Sequence, residues 1–540
     1  MLDILVTYQD KGIKKQSSQL IEEAYVLKFF EKDNGFKILI QPNYQIEIEK
    51  VEVILPYKYE ENASIFLNGY QSWTETREFS LNEQLRDVTK LPKFLVNRYG
   101  FDKYGDVCFK KYQKEILHGY TYSYVKQKNP IFIGSNNEKN SFLIINHDHN
   151  KNRIVLESIY NIKINNELVL MDVMIEKDVK EGIIKYFSQY QMKKVIPLKG
   201  YTSWYNHYQN INENLIMKTL ESIDSNDYNL FQIDDGFEEF VGDWNNIDRK
   251  KFPNGLESIV TKIHQKKMLA GIWLAPFVCE KKSKLFKERK DLLAKDKNGN
   301  FIKAGCNWSG FYVLDVTKEE TKKYIVDVLN SYISMGFDFF KLDFLYAASL
   351  ISHPYKTRAM IIYEIMKEIR EVLKDKLILG CGVPLSSVFN LVDYCRIGPD
   401  VSLKFDDAWY MKYTLRERLS TKVTIQNTIF RHHLSNHVFL NDPDVVILRE
   451  NNNKLTSDQK DSLLTINILF GDLFMSSDDT SNYSYDTREK IKKLFALKEQ
   501  IKERKVKRNK NTIIIELKLK NMQVKTLIYQ VKNGKLTWIN

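Results

Sequence analysis

Cysteine is scarce in this sequence and shows no pairing pattern. The 540 residues include five cysteines, Cys108, Cys279, Cys306, Cys381 and Cys395, and no two of them form a C-x-x-C pair. An odd number of cysteines without such a pair argues against a disulfide framework and against a structural zinc site. We therefore expect reduced thiols and a cytoplasmic protein.

Long hydrophobic runs are also missing. The longest nearly uninterrupted apolar run covers residues 268–279, and Gly271 and Pro276 break it. A membrane-spanning helix needs about 20 apolar residues. The first residues, MLDILVT, lack the basic start, the apolar stretch and the cleavage site of a secretion signal. The sequence therefore predicts neither a membrane span nor a secretion signal.

Several catalytic and metal motifs are absent. No glycine-rich phosphate loop precedes a helix and no G-x-S-x-G elbow occurs, which argues against phosphoryl transfer and serine hydrolysis. His432, His433 and His437 form a cluster, and the i, i+4 spacing of the last two suits a metal if they lie on a helix. No adjoining carboxylate or third-ligand pattern supports a metal site, so we interpret these histidines as structural. We expect no metal and no cofactor.

The charge balance is basic but dispersed. Lys and Arg number 81 against 69 Asp and Glu, which gives a net charge of +12 and a pI near 9.0. Such a balance can signal nucleic-acid binding. The lysines are scattered along helical segments, as at residues 281–284 and 502–510, rather than interleaved with aromatic residues on one element. We therefore expect no nucleic-acid partner.

What the sequence does contain is a large core. Hydrophobic residues make up 43% and aromatic residues 13%, which is typical of a globular protein. Up to about residue 190, apolar and β-branched runs often alternate with polar residues and are separated by turn residues. These runs cover residues 25–30, 36–40, 46–55, 142–145 and 168–175. The pattern predicts an antiparallel β-sandwich over residues 1–190.

Beyond Pro197 the period changes, and short apolar strands alternate with amphipathic helices. The strand candidates are residues 200–205, 230–234, 269–276, 337–344, 377–382, 393–400, 438–442 and 472–476. Strand and helix repeated eight times predict a (β/α)8 TIM barrel, which we place at residues 191–505. Alternation returns at residues 512–517 and 524–529, so residues 506–540 are predicted to form a small C-terminal β-domain. The fold class is therefore multidomain, α/β and β.

Local signals support one barrel helix and one long loop. Apolar residues recur at helical spacing within residues 317–335. Thr317 and Glu320 have the spacing of a capping box, and Gly336 supplies a stop. The third βα loop, at about residues 278–315, is a long excursion from the barrel.

A TIM barrel has its active site at the carboxyl ends of its strands. Asp234 and Asp235 end the second strand, Asp343 the fourth and Asp400 the sixth, while Asp442 and Asp444 end the seventh. Each acidic residue alone is open to interpretation as a helix N-cap. Trp204 and Tyr205 end the first strand and Trp273 lies on the third; core packing is the alternative for the two tryptophans. Carboxylates mixed with aromatic rings suit a sugar, whose hydroxyls need acceptors and whose C–H face stacks on rings.

The combination of short motifs resembles the α-galactosidases of glycoside hydrolase family 36. The motifs are residues 69–73 (GYQSW), 200–205 (GYTSWY), 233–236 (IDDG), 271–276 (GIWLAP), 341–344 (KLDF), 380–382 (GCG) and 396–400 (RIGPD). The resemblance runs from about residue 65 to residue 480 and implies the layout of three domains described above. It also implies that Asp343 is the nucleophile and Asp400 the general acid/base of a retaining double displacement.

The resemblance further assigns the binding residues. It implies that Asp234 and Asp235 hold O4 and O6 of the sugar, that Cys381 and Gly382 lie beside O2, and that Trp73 from the N-terminal domain covers the sugar. We expect Trp73 to project from a loop after residues 65–67, with burial in the sandwich as the alternative.

Strand parity adds two further residues. Lys341 lies two residues before Asp343, so the two side chains share a face of the strand. Arg396 precedes Asp400 by four residues and shares its face if Gly398 and Pro399 do not bulge the strand. Both cations are therefore expected beside the catalytic carboxyls.

The predicted function is a retaining exo-α-galactosidase that hydrolyses terminal α-galactosyl groups of small oligosaccharides such as melibiose or raffinose. One alternative is an α-N-acetylgalactosaminidase of the same mechanism, because the small residues Cys381 and Gly382 leave room beside O2. The other is a catalytically inactive carbohydrate-binding relative. The oligomeric state is left open.

Overall fold

The computed structural model describes residues 3–109, 115–406 and 408–539. Three β-containing units follow one another along the chain: a pair of antiparallel sheets, a parallel sheet alternating with helices, and a small antiparallel sheet. This is the multidomain class predicted from the sequence. Within these residues, none of the helices combines the length and the apolar character needed to cross a membrane.

The N-terminal unit is the predicted β-sandwich. Its elements are β1 (Asp3–Asp10), β2 (Ile13–Ser17), β3 (Tyr25–Lys32), β4 (Gly35–Pro42), β5 (Ile46–Pro56), β6 (Ser64–Leu67), β7 (Arg77–Ser80), α1 (Lys93–Tyr99), β8 (Ile116–Tyr120), β9 (Tyr122–Lys126), β10 (Ile131–Ser135), β11 (Leu143–Asp148), β12 (Arg153–Ile164), β13 (Leu168–Glu176) and α2 (Val179–Ser188). One sheet has the order β2-β1-β5-β12-β11-β8 and the other β3-β4-β13-β10-β9-β6-β7. Every second residue of β4 is buried, including Phe36, Ile38 and Ile40, so strand alternation builds the core.

The second unit alternates strands and helices. Its elements are β14 (Leu198–Thr202), α3 (Trp204–His207), α4 (Glu213–Ser222), β15 (Leu230–Ile233), α5 (Glu257–Gln265), β16 (Leu269–Leu274), β17 (Val278–Glu280), α6 (Lys284–Glu288), β18 (Lys303–Gly305), β19 (Phe311–Val313), α7 (Glu319–Ser334), β20 (Phe339–Leu342), α8 (Arg358–Leu373), β21 (Leu377–Gly380), β22 (Tyr394–Arg396), α9 (Met411–Thr414), α10 (Thr421–Phe430), β23 (Leu440–Asp442), β24 (Val445–Val446), α11 (Ser457–Phe470), β25 (Leu473–Ser476) and α12 (Tyr485–Gln500). Short 3-10 turns cover Lys290–Leu292, Leu345–Leu350, Leu385–Val388, His432–Leu434 and Thr480–Asn482.

The seventh barrel strand is split into two short strands. They pair with different neighbours, one on each side, and so close the barrel. The parallel sheet has the order β23-β22-β21-β20-β16-β15-β14-β25-β24. β23 pairs with β22 and β24 pairs with β25, yet Pro443 and Asp444 alone separate β23 from β24. A proline cannot donate to the ladder, and Asp444 has a φ of +71°, so the strand breaks there. The predicted (β/α)8 barrel is therefore confirmed, with a strand at each of the eight predicted positions.

The predicted capping box of α7 is wrong, whereas its predicted end is confirmed. The helix begins at Glu319 with Lys318 at its N-cap and no side-chain cap. Thr317 therefore precedes the N-cap by one residue, and both its hydroxyl (2.6 Å) and its backbone N–H (3.2 Å) donate to Asp315 Oδ1 in the turn before the helix. Gly336 follows the helix with a φ of +97°, a conformation that favours glycine.

Two smaller antiparallel sheets complete the fold. The excursion after β16 forms a small antiparallel sheet in the order β17-β19-β18. The third unit is the predicted C-terminal β-domain, an antiparallel sheet of β26 (Ile501–Asn509), β27 (Thr512–Leu519), β28 (Val524–Gln530) and β29 (Lys535–Ile539). The domain boundaries at 190/191 and 505/506 stay predictions, and the C-terminal sheet itself starts at Ile501.

Candidate active site

Asp343 follows β20 and is held by neighbouring N–H groups. Its own backbone N–H donates to the carbonyl of Leu274 at the end of β16 (2.8 Å). Its Oδ1 accepts from the N–H of Phe344 (2.8 Å), and its Oδ2 accepts from the indole Nε1 of Trp273 (3.1 Å). The residue is 8% exposed. These donors hold a buried carboxylate in one orientation at the carboxyl end of the barrel.

Asp234 and Lys341 form a buried ion pair between the second and fourth strands. Lys341 Nζ lies 2.8 Å from Asp234 Oδ2, which also accepts from Gln232 Nε2 (2.7 Å) and Thr202 Oγ1 (3.2 Å). Burial by itself lowers the pKa of Lys341, but the charges of Asp234 and Asp343 outweigh it and raise the pKa. Lys341 therefore stays charged; it pairs directly with Asp234 and acts on Asp343 through its charge.

Asp235 points to a different set of partners. Gln209 Nε2 donates to both of its carboxylate oxygens (3.1 Å each), and Trp308 Nε1 donates to Oδ2 (2.9 Å). Burial raises the pKa of Asp235, and burial together with the charge of Asp235 raises the pKa of Glu238. The two carboxyls hydrogen-bond to each other, so one proton shared between them relieves their repulsion.

Trp308 is a site residue that the sequence reasoning missed. Besides holding Asp235, its ring lies 5.1 Å from that of Phe344 and 6.1 Å from that of Trp273, between ring centroids. It stands in the excursion after β16 with a φ of +53°. One sequence signal could have indicated Trp308 as a site residue. It is a tryptophan next to Ser309 and Gly310, in a long loop that follows the carboxyl end of a barrel strand.

Arg396, the last residue of β22, joins three carboxylates. Its guanidinium lies 2.8 Å from Asp400 Oδ1, 2.7 Å from Asp442 Oδ2 and 2.9 Å from Asp444 Oδ1. Burial raises the pKa of Asp400 to about 7; Arg396 opposes this shift, and the charges of Asp444 and Asp343 add to it. Asp400 is therefore poised to hold or release a proton near neutral pH.

The parity argument for Arg396 does not apply in the form predicted. β22 ends at Arg396, so Gly398 and Pro399 lie beyond the strand and Asp400 lies in the loop that follows. The contact between Arg396 and Asp400 is nevertheless made, because the long arginine side chain reaches the loop.

The N-cap alternative is wrong for the second-strand and fourth-strand carboxylates. No helix starts directly after Asp234, because the next described helix is α5 at Glu257. The 3-10 turn after Asp343 has Phe344 at its N-cap and no side-chain cap. For Asp400, residues 401–406 form no helix.

Trp204 and Tyr205 do not end the first strand as predicted: β14 ends at Thr202, and both residues lie in α3. Tyr205 is 3% exposed and donates its hydroxyl to Asp444 Oδ2. It therefore helps to hold one of the carboxylates that pair with Arg396. Trp204 is half-buried, and its ring packs edge-to-face on Tyr208 with a centroid distance of 5.2 Å. A direct sugar contact by either residue stays a prediction.

Trp73 reaches the barrel from the N-terminal unit. Its ring packs edge-to-face on Phe344 (5.4 Å) and Tyr346 (5.8 Å), and the residue is 8% exposed. It therefore lies between the two units, not in the sandwich core. Ser72 fixes the loop before it, because its backbone N–H donates to the carbonyl of Val383 (2.9 Å).

Arg431 anchors the same loop through hydrogen bonds to its backbone carbonyls. This fully buried arginine donates to the carbonyls of Gly69 (3.3 Å), Gln71 (3.2 Å) and Ser72 (2.7 Å) in the loop. It also donates to the carbonyl of Ile397 (2.8 Å), one residue beyond β22. One guanidinium thus ties the loop that carries Trp73 to the strand that carries Arg396.

Gly382 touches Trp73 closely. A Cβ at this position would lie 2.7 Å from Trp73 Cζ2 and 2.8 Å from Cη2, and the φ of Gly382 is +56°. Cys381 before it is fully buried, and burial followed by the charge of Asp343 raises the pKa of its thiol. The space that a glycine leaves open is therefore occupied by the ring of Trp73.

The predicted site residues thus converge on one end of the barrel. Asp343 follows β20 and Asp400 follows β22, the two strands that flank β21, so both carboxyls lie at the same end of the parallel sheet. The first group comprises Asp234, Asp235, Trp273, Lys341 and Asp343; the second comprises Tyr205, Arg396 and Asp400; Trp73, Cys381 and Gly382 lie beside Asp343.

The histidine cluster lies outside this site. His433 belongs to a 3-10 turn, its Nε2 lies 2.8 Å from the hydroxyl of Tyr122, and its ring packs near Phe187. Burial lowers the pKa of His433, which keeps it neutral. These contacts agree with our interpretation of the cluster as structural.

Comparison with known proteins supports the resemblance. Residues 171–381 match the melibiase family. Alpha-galactosidase 1 of Pediococcus pentosaceus is 22% identical over 222 residues, which are 38% of this chain and 29% of that protein. Alpha-xylosidase XylQ of Lactiplantibacillus pentosus is 34% identical over 111 residues, which are 20% of this chain and 14% of that protein.

A solved structure extends the likeness to the whole fold. TtGalA, the α-galactosidase of Thermus thermophilus in complex with p-nitrophenyl α-D-galactopyranoside, has a TM-score of 0.70 and 22% identity over 90% of this chain and 98% of its own. The alignments to the two curated relatives span less than a third of their lengths. Residues 171–381 thus match the melibiase family, and the resemblance to the family 36 α-galactosidases that the motifs predict is confirmed.

Proposed function

We propose that the protein is a retaining exo-α-galactosidase. The observation that carries the proposal is the unlike surroundings of two carboxyls at one site, the buried Asp343 and the half-buried Asp400. Asp343 accepts hydrogen bonds from Trp273 and Phe344, whereas burial and nearby carboxylates raise the pKa of Asp400 to about 7. A retaining glycosidase needs this division between an ionised nucleophile and a protonated acid.

In the first step, Asp343 attacks the anomeric carbon while Asp400 gives its proton to the glycosidic oxygen. The bond between the anomeric carbon and that oxygen breaks, and the aglycone leaves. The ester that forms on Asp343 removes one of the negative charges that raise the pKa of Asp400. The pKa of Asp400 then falls, and its carboxylate takes a proton from the water that hydrolyses the ester.

The substrate proposed is a terminal α-galactosyl group of a small oligosaccharide of the melibiose or raffinose type. Asp234 and Asp235 supply acceptors for the sugar hydroxyls, and Lys341 and Trp308 hold those carboxylates in place. Trp73 closes the site from the N-terminal unit, which suits release of a single terminal sugar.

The contact of Trp73 with Gly382 favours a galactoside over a 2-acetamido sugar. The family resemblance places Gly382 beside O2, and the ring edge of Trp73 occupies the space that its missing Cβ leaves. An acetamido group therefore has less room there than the sequence alone indicates. The inactive relative is disfavoured because both carboxyls persist despite their mutual repulsion.

One panel experiment tests the proposal. Turnover is measured on p-nitrophenyl α-galactoside, α-N-acetylgalactosaminide and α-xyloside and on melibiose, and NMR follows the anomer released first. We expect hydrolysis of the galactosides with α-galactose as the first product, and loss of turnover in Asp343→Asn. Release of β-galactose, preference for another glycoside, or normal turnover in Asp343→Asn contradicts the proposal.

We also propose that the enzyme acts in the cytoplasm, on the ground that its odd set of five cysteines contains no C-x-x-C pair. That it has neither a nucleic-acid nor a membrane partner, and no cofactor, stays a prediction from the sequence. Its oligomeric state stays open.

A further inference from the structure

A cationic cavity of about 160 Å³ lies where the three units meet. The N-terminal loop, α10 with the loop before it, and the C-terminal sheet each supply part of its lining. The cationic members are Arg77, Arg86, Arg416, Arg418, Lys422 and Arg508. Among the described lining residues they outnumber the carboxylates, Glu75 and Asp406. The cavity is therefore electropositive and lies outside the catalytic group of residues.

Ion pairs behind the cavity hold its guanidinium groups in place. Glu83 bridges Arg77 (3.0 Å) and Arg508 (2.7 Å). Glu417 Oε1 accepts from Arg416 Nε (2.9 Å). These carboxylates orient the arginines without occupying all of their N–H groups.

Three buried N–H groups on the lining residues lack an acceptor. They are Arg416 Nη2, Arg508 Nε and Trp73 Nε1, for which no described residue supplies a hydrogen-bond partner. The side chains of Arg416 and Arg508 are 7% and 9% exposed. A buried donor without an acceptor is costly and points to an acceptor supplied from outside the chain. Several such donors around one electropositive cavity indicate an anion with several oxygen atoms.

The cavity adjoins the proposed site through Trp73 and through the segment after Asp400. Trp73 lines the cavity and also contacts Gly382 beside the proposed sugar position. The backbone N–H of Ser420 donates to the carbonyl of Asp400 (3.2 Å), and its hydroxyl donates to Asp406 (2.9 Å), which lines the cavity. Asp400 is the group that protonates the departing oxygen, so an aglycone leaves past this segment.

We propose that this cavity binds a phosphate group carried by the aglycone, so that the preferred substrates are α-galactosides of a phosphorylated sugar. The inference rests on the proposed function and narrows its substrate class. Guanidinium groups match the oxygens of a phosphate in bidentate geometry, and their ion pairs preorganise them for it. The neutral galactosyl group occupies the barrel, and the phosphate on the second sugar occupies the cavity.

Binding to the Asp343→Asn protein tests the inference without turnover. Calorimetry compares an α-galactosyl disaccharide with the same disaccharide phosphorylated on its reducing sugar, at constant ionic strength. We expect the phosphorylated ligand to bind at least about tenfold tighter. Arg86→Gln and Lys422→Gln, added singly, are expected to remove most of this preference and to leave the affinity for the neutral disaccharide unchanged. Lys525→Gln, an exposed lysine on β28, is the matched control and is expected to preserve it.

Three outcomes overturn the inference. The first is equal affinity for the two disaccharides, and the second is a preference that Arg86→Gln and Lys422→Gln leave intact. The third is binding of inorganic phosphate without any gain for the phosphorylated disaccharide, which identifies a free-anion site. Turnover of p-nitrophenyl α-galactoside by the unsubstituted protein is measured separately, so a failure of the proposed function is recognised independently of this comparison.

Discussion

At the scale of single residues, the site depends on how each carboxyl is partnered. Asp343 accepts N–H groups, Asp234 is paired with a buried lysine, and Asp400 shares Arg396 with two other carboxylates. The same functional group thereby has three different sets of partners within one site: N–H donors, a lysine and a shared arginine.

The first prediction concerns Asp400 as the proton donor. Asp400→Ala is expected to lower kcat/KM on melibiose by about 10²- to 10⁴-fold and far less on p-nitrophenyl α-galactoside, because a poor leaving group needs the proton. Steady-state kinetics on both substrates checks this. Equal losses would remove Asp400 from the role; Asp406 is then one alternative, and Asp407, the other, lies outside the described residues.

The second prediction uses the pH profile. With the pKa of Asp400 at about 7, the general acid loses its proton above that pH, so kcat/KM is expected to fall on the alkaline side. Asp444→Asn removes a charge that raises this pKa and leaves Arg396 less compensated, so the alkaline limb is expected to move to lower pH. Asp442→Asn is the control that also contacts Arg396. An unchanged profile in Asp444→Asn contradicts the electrostatic account.

The third prediction concerns the buried ion pair. Asp234→Asn leaves the charge of Lys341 without its partner, and breaking such a pair costs about 3–5 kcal/mol of stability. Substrate affinity is expected to fall as well. A double-mutant cycle with Lys341→Met, followed by thermal unfolding and kinetics, measures the coupling; additive effects of the two changes would disprove it.

At the scale of elements, the loops after the barrel strands receive support from other units. The loop after β21 carries Gly382, and the ring that fills its space comes from the N-terminal loop. The excursion after β16 supplies Trp308 to the carboxylate that ends β15. The strands position the site, while loops from distant parts of the chain complete it.

The fourth prediction tests the contact of Gly382 with Trp73. Gly382→Ala is expected to raise KM several-fold and to destabilise the protein by about 1–3 kcal/mol, since the new Cβ displaces the ring. Gly299→Ala is the control, because Gly299 also has a positive φ, +81°, but has open space around it. Similar effects of the two substitutions would show that backbone strain alone is responsible.

Trp73→Ala is now expected to lower both substrate affinity and the melting temperature. The sequence alone favours a loop tryptophan whose removal spares stability, but the ring is largely buried against Phe344 and Tyr346.

At the scale of the whole molecule, the N-terminal unit contributes to the proposed active site. Arg431 bonds to three loop carbonyls and to Ile397 of the barrel, and burial lowers its pKa to about 10. A single buried guanidinium thus joins two units at the place where the site forms.

The fifth prediction follows from that joint. Arg431→Met leaves several buried carbonyls without donors and is expected to lower the free energy of unfolding by about 3 kcal/mol or more and to raise KM, because the loop of Trp73 loses its anchor. Arg504→Met is the control, a half-exposed arginine that donates to the carbonyl of Leu469 at the other end of the barrel. Unfolding and KM that match the control would show that the anchor is unimportant.

Local patterns predicted the elements well, because an alternating or continuous apolar run depends on its own residues. The eight barrel strands, the sandwich strands and the stop at Gly336 are of this kind. The capping box at Thr317 failed because the helix begins at Glu319, with Lys318 at its N-cap, while Thr317 belongs to a turn with Asp315. Motif spacing also indicated the carboxylates, since strand ends meet at one face of a barrel.

The sequence by itself therefore determined the order of the units, the barrel and the set of carboxylates at its carboxyl end. Only the tertiary structure decided their partners: Trp308 on Asp235, Asp444 between Arg396 and Tyr205, Trp73 on Gly382 and Arg431 beneath the loop. The physical reason is that strand and helix patterns arise from neighbours along the chain. Burial, charge coupling and steric contact instead arise between residues that are about 50 to 360 positions apart in the pairs named here, and no local pattern records them.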